Sequence, residues 1–244
     1  MIAPKPKSAE LIELLTPSLI EGENFLSEFE ARRVIACAKQ LPDRYQGICI
    51  EGLVKIICGD IEEGSSLCER SLLLAPHESV TWTNYALALA NKGLHSKQIE
   101  ILKRAIEVIR NPVLISDILV IATFWVDVDL LNKVAPMFAA MEIKPNDSCE
   151  AALRNLDKIF NLGERAKDVE DVAKAVMKVA EKHNLPAISS QLGDDGYGMI
   201  AFSFTVDTDD INFISTLNDE LYEEMIEHGL ETSNCIGYFE PKGE

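Results

Sequence analysis

Helix breakers recur along the first two thirds of this chain at a spacing of 34 residues. Gly59 and Gly93 are 34 apart, and so are Pro42 and Pro76; Pro112 and Pro145 continue the series with small slips. Between the breaks, apolar residues return every three or four positions, the period of a helix with one buried face. The pattern predicts helices over 8–15, 23–41, 44–58, 61–75, 78–92, 95–110, 113–126, 128–142, 147–161 and 167–184. A fixed period of this size means one helix pair per unit. A lone pair cannot cover its own apolar face, so successive pairs must stack into a continuous core.

In one unit Trp82, Tyr85, Ala86 and Leu89 stand at the spacing W-x-x-L-G-x-x-Y. Gly93 follows as the turn, then Leu102 and Ala105 on the next helix, then Pro112. On these residues the chain resembles the tetratricopeptide repeat (TPR) family over about 23–145, most fully over 45–112. The resemblance implies an α-solenoid whose first helices line a concave face that holds an extended peptide. Position by position, that face is Cys49, Leu53 and Ile56, then Thr83, Asn84 and Leu87, then Asp117, Ile121 and Phe124. One branch of the family binds carboxylate-ended tails through lysines and asparagines at these places. This chain lacks those lysines, and its mostly apolar lining favours an apolar peptide or a partner helix. The alternative is that the chain's own N-terminal segment or its acidic C-terminal part covers the lining. Gly52 and Ala86 fall where paired helices approach closely. Glu51, Lys55 and Gln98 depart from the family pattern, and Pro136 predicts that its helix bends or ends early. Residues 146–163 are read as a capping helix that completes a repeat domain over 1–164.

The last eighty residues change character. After an amphipathic helix carrying Val169, Val172, Ala173, Val176, Val179 and Ala180 on one side, Leu185–Leu192 and Met199–Val206 read as strands. Ile200, Phe202, Phe204 and Val206 alternate with Ala201, Ser203 and Thr205, giving one buried face and one solvated or half-buried face. A helix follows to about Gly229, with Ile211, Ile214, Leu217, Leu221, Met225 and Ile226 as its apolar stripe, and Cys235–Phe239 reads as a third strand. The fold class is therefore mainly α: a TPR-like α-solenoid followed by a small acidic α+β domain of order α-β-β-α-β over 165–244.

Charge is distributed unevenly. Forty acids against 23 bases give a net charge of −17. From His183 to Pro241 there is no Lys or Arg, while the same segment holds twelve acids. Such a field repels nucleic acid and anionic membrane surfaces and attracts a basic protein. Asp194, Asp195, Asp219, Glu220, Glu223, Glu224 and Glu227 are the candidate contacts. No stretch approaches 18 uninterrupted apolar residues, which argues against a membrane span. Met1 to Glu10 lack the apolar core of a signal peptide, so a cytoplasmic location is expected. The six cysteines show no C-x-x-C spacing and are expected to be reduced, buried hydrophobes.

Motifs for chemistry are few. Asp207, Asp209 and Asp210 lack the calcium-loop pattern and suit the start of a helix, where acids satisfy free backbone N–H groups. Asp194 and Asp195 sit in a glycine-rich turn between strands, an acidic setting unsuited to phosphate. His77, His95, His183 and His228 lie near helix ends and read as solvated or capping. Trp82 reads as repeat core, Trp125 as core or as an exposed anchor. No catalytic, metal or cofactor motif stands out. Three functional readings follow. The first is a non-enzymatic binding protein for a basic protein partner, as in an immunity protein or antitoxin. The second is a chaperone or adaptor working through an apolar groove. The third is a metal-dependent enzyme using Asp194, Asp195, Asp207 and Asp209.

Overall fold

The computed structural model describes residues 6–194, 198–231 and 233–243 of the chain. It is mostly helical and ends in a small three-stranded sheet. Two compact units divide it, Met1–Ile109 and Arg110–Glu244. The expected boundary at 164/165 falls inside the second unit.

The first unit contains α1 (Lys7–Glu21), α2 (Glu28–Ala38), α3 (Arg44–Ile57), α4 (Ile61–Leu74), α5 (Ser79–Ala90) and α6 (His95–Val108). Consecutive helices pair, α3 with α4 and α5 with α6, and α3 also packs on α5. Gly59 and Gly93 follow α3 and α5 at φ of +93° and +70°, a conformation glycine adopts without a Cβ penalty. The α3–α4 crossing is close because two glycines face each other. A Cβ on Gly52 would lie 2.8 Å from Cys68 Sγ and from the Gly64 carbonyl oxygen. Glu51 and Lys55 are satisfied by charge: Lys39 Nζ lies 2.9 Å from Glu51, and Lys55 Nζ 2.5 Å from Glu63.

Two departures from the sequence reading lie at the N-terminus. The pattern ends the first helix at residue 15, before Pro17, but α1 runs through Pro17 to Glu21. A proline inside a helix removes one backbone bond and costs about 3 kcal/mol. Here tertiary contacts offset it. Leu15, Ser18 and Leu19 are buried, and α1 packs on both α3 and α5. The free carbonyls at its C-terminus find donors beyond α5: Asn91 Nδ2 donates to Leu19 O at 2.5 Å, and Lys92 Nζ to Gly22 O at 2.6 Å. The helix expected over 23–41 is shorter, because Ser27 and Glu30 form a reciprocal capping box that starts α2 at Glu28.

The second unit contains α7 (Pro112–Phe124), α8 (Val128–Ala140), α9 (Asp147–Asn161), α10 (Ala166–Lys182), β1 (Ser189–Asp194), β2 (Ile200–Val206), α11 (Ile211–Glu227) and β3 (Cys235–Pro241). The helix α8 continues past Pro136 rather than ending there. In the sheet, β2 is central, antiparallel to β1 and parallel to β3. The order α-β-β-α-β is the expected one. One sheet face meets α10 and α11: a Cβ on Gly237 would touch Val172 and Val176 at 2.9 Å and Leu221 at 3.4 Å. The register places Phe202 and Phe204 on that face. The other face carries hydroxyls that are nevertheless buried on the central strand. Ser203 Oγ donates to Glu240 at 2.8 Å, and Ser189 and Thr205 hydroxyls pair at 3.2 Å.

An aromatic cluster joins helices and sheet within this unit. Trp125 stacks on Phe204 at 5.5 Å, and Phe124 and Phe239 meet the Phe204 ring edge-on at 6.0 and 5.6 Å. Trp125 is 2% exposed, which settles it as core rather than an exposed anchor. Ser190 Oγ adds a bond to the Phe124 carbonyl at 2.9 Å.

The free edge of β3 is blunted. Ile200 N donates to Asn234 O and Lys242 N to Val206 O, so even-numbered β3 residues face β2 and odd-numbered ones face outward. Asn218 of α11 covers Phe239 on both sides, donating to its carbonyl at 3.0 Å and accepting from its N–H at 2.8 Å. Ser233 bonds both backbone groups of Cys235, and Pro241 has no N–H to offer. Such devices keep an edge strand from pairing with another chain.

Two outcomes follow from these contacts. Gly52→Ala should lower stability by about 1–3 kcal/mol in urea denaturation, because backbone and a buried sulfur have no room to retreat. Asn218→Ala should cost about 2 kcal/mol and raise self-association in sedimentation as the β3 edge opens; a variant that sediments as wild type contradicts the edge assignment.

Candidate functional site

The TPR-implied lining is buried on α3 and half-buried on α5 and α7. Leu53 and Ile56 are fully buried and Cys49 is 5% exposed, on a helix against which α1 packs. Thr83, Asn84 and Leu87 on α5 are half-buried. Cys49 and Asn84 meet across a half-open pocket of about 440 Å³ that α1 helps to wall. In the second unit Asp117, Ile121 and Phe124 on α7 are half-buried. Burial pushes the Asp117 carboxyl above its ordinary pKa. Phe124 belongs to the aromatic cluster already described, so its ring is engaged internally.

The acidic residues of the C-terminal part separate into engaged and open sets. Glu220 and Glu224 on α11 turn toward α10. Lys182 Nζ and His183 Nε2 lie 3.0 and 2.9 Å from Glu220, and Lys178 Nζ lies 2.6 Å from Glu224. His228 closes on Glu224 at 3.1 Å. The His183 and Lys182 contacts hold the Glu220 carboxyl below its ordinary pKa. These two acids, expected as partner contacts, are thus bound within the unit. Asp219, Glu223 and Glu227 are exposed, with no basic partner among the described residues. Asp194 is exposed at the end of β1, and Asp195 lies outside the described residues.

The same helix corrects one packing expectation. Ile214, Leu217, Leu221 and Met225 are buried as the stripe predicts, but Ile211 is 79% and Ile226 47% exposed. The buried set spaces at three and four; Ile226 stands one residue on, about 100° round the helix. It falls instead beside Tyr222, which is 62% exposed. Tyr222 was not singled out by the sequence pattern, although its i,i+4 relation to Ile226 and its place between two acid rows are visible there. The outer arc of α11 therefore carries apolar Tyr222 and Ile226 alongside Asp219, Glu223 and Glu227.

The remaining candidates resolve simply. Asp210 caps α11, accepting from Asn212 N at 2.9 Å and Phe213 N at 3.3 Å. Lys242 Nζ lies 3.8 Å from Asp207. Among the described residues no group of three or more His, Cys, Asp or Glu could hold a metal ion. His77 is exposed, but His95, expected to be solvated or capping, is fully buried at the start of α6. All six cysteines are free thiols; Cys49, Cys68, Cys149 and Cys235 are buried and Cys58 is exposed. A hydrogen bond toward Cys49 and burial push the Cys68 thiol well up, which keeps it protonated. Trp82 is core: its Nε1 donates to Pro76 O at 2.8 Å, and Arg104 stands over its ring at 5.5 Å. No helix is long and apolar enough to cross a membrane among the described residues.

The Glu220 contacts set a pH dependence. A carboxylate whose folded pKa lies below its unfolded value stabilises the fold above the unfolded pKa and loses that contribution as pH falls through the folded one. Stability should therefore drop as pH is lowered below about 4.5, and Glu220→Gln should flatten that limb in denaturant titrations at successive pH values. An unchanged acid limb in the variant would place the dependence elsewhere.

No family model, curated protein or solved structure matches the chain.

Proposed function

We propose that the protein is a non-enzymatic binding protein that takes a basic protein partner on the outer face of α11, in the manner of an immunity protein or antitoxin. The observation that carries this reading is the exposed arc of α11. Asp219, Glu223 and Glu227 lie there without basic partners among the described residues, next to exposed Tyr222 and Ile226. Acids at the rim raise the association rate and reject acidic partners, while a tyrosine and an aliphatic side chain supply desolvated contact. Glu220 and Glu224 serve differently, fixing α11 on α10 so that the arc is presented on a rigid element.

The helix pairs of the first unit act as a TPR-like scaffold in this reading. The burial of Cys49, Leu53 and Ile56 weighs against an adaptor that holds a long peptide there. With no recognised catalytic motif in the sequence, this reading favours a role in binding over an enzymatic one.

The test is affinity capture from lysate of the source cells with the full chain and with Asp219→Lys/Glu223→Lys/Glu227→Lys. A basic protein should be retained at about 0.05 M salt, released by about 0.5 M, and not retained by the triple variant. Capture that survives both salt and charge reversal would overturn the α11 assignment.

A further inference from the structure

We infer that the pocket walled by α1, α3 and α5 is a small-molecule site for an uncharged, largely apolar ligand carrying one carbonyl-type acceptor. Its volume of about 440 Å³ lies within the range of small-molecule sites. Ala9 and Ile12 of α1, Cys49 and Ile50 of α3, and Val80 beside them give an apolar lining. Asn84, also on the wall, has a buried side-chain Nδ2 with no hydrogen-bond partner among the described residues. Buried donors in folded proteins are almost always paired, so an unpaired amide at a cavity wall marks the place of an acceptor that arrives with a ligand. Glu13 and Glu78 stand at the same pocket, and no Lys, Arg or His lines it among the described residues. Among the described residues that balance favours an uncharged ligand over an anion, which would meet the Glu78 carboxylate. The site is independent of the α11 surface: it lies wholly within Met1–Ile109.

α1 gives the pocket its shape. The helix is held at its C-terminal end by the Asn91 and Lys92 bonds to Leu19 and Gly22 carbonyls. Its N-terminal half, with Ala9 and Ile12 half-buried, forms one wall without filling the space behind it.

The test uses the full chain and Nile red, an uncharged dye with a ring carbonyl, followed by its fluorescence. Saturable binding at one site is expected. Ala9→Phe, which fills the space from a half-buried position, should weaken it at least about tenfold, and Asn84→Leu about fivefold through loss of the hydrogen bond. Phe29→Ser removes an unrelated exposed aromatic and should leave binding unchanged. Decanamide should displace the dye at least about tenfold better than decanoate, which differs from it in carrying a charge. Absence of saturable binding, indifference to Ala9→Phe, loss with Phe29→Ser, or equal displacement by decanoate would each overturn the inference. Far-UV circular dichroism of each variant establishes that it is folded.

Discussion

The contact on which the second unit depends is the stacking of Trp125 on Phe204. Trp125 ends α7, and Phe204 sits at the middle of the central strand, so a single pair of rings links a helical stack to a sheet. Phe124 and Phe239 complete the cluster from either side. Aromatic pairs of this geometry add about 0.5–1.5 kcal/mol each beyond the area they bury. They explain why the compact unit begins at Arg110 and includes α7, α8 and α9 along with the sheet. The sheet in turn seats α10 and α11, and the ion pairs from Lys178 and Lys182 fix which side of α11 faces outward.

A similar dependence holds in the first unit. The close α3–α4 crossing, set by Gly52 and Gly64, positions α3; α3 and α5 together receive α1. Once α1 is seated, Cys49 and Asn84, two of the residues that the TPR resemblance assigns to a peptide, line a smaller pocket instead. A helix of the chain itself and an external peptide compete for the same apolar surface. Intramolecular supply at high effective concentration favours the helix.

The helices were legible because their boundaries are set locally, by glycines at positive φ and by prolines at a regular spacing. Gly93 and Gly229 stop helices where the pattern says they should, and Asp210 caps one as its type predicts. What escaped the sequence is decided by partners distant in the chain. Pro17 ends a helix by local rules, and Asn91 and Lys92, some seventy residues on, hold the helix together beyond it. Glu220 and Glu224 resemble Glu223 and Glu227 in sequence; the lysines of α10 separate them. Ile226 continues an apolar stripe by eye and leaves it by angle. The domain boundary at 164/165 follows a change of composition, whereas the packing follows Phe124 and Trp125, whose contacts with Phe204 no local pattern announces.

The most direct test is hydrogen exchange followed by mass spectrometry on the wild-type chain and on Phe204→Ala. If the ring cluster binds the helices and the sheet into one cooperative unit, amide protection in α7 and in β2 should fall together, while α3 and α4 keep theirs. Loss of protection confined to β2 and its neighbouring strands, with α7 unchanged, would show that the helices stand without the sheet and contradict the account.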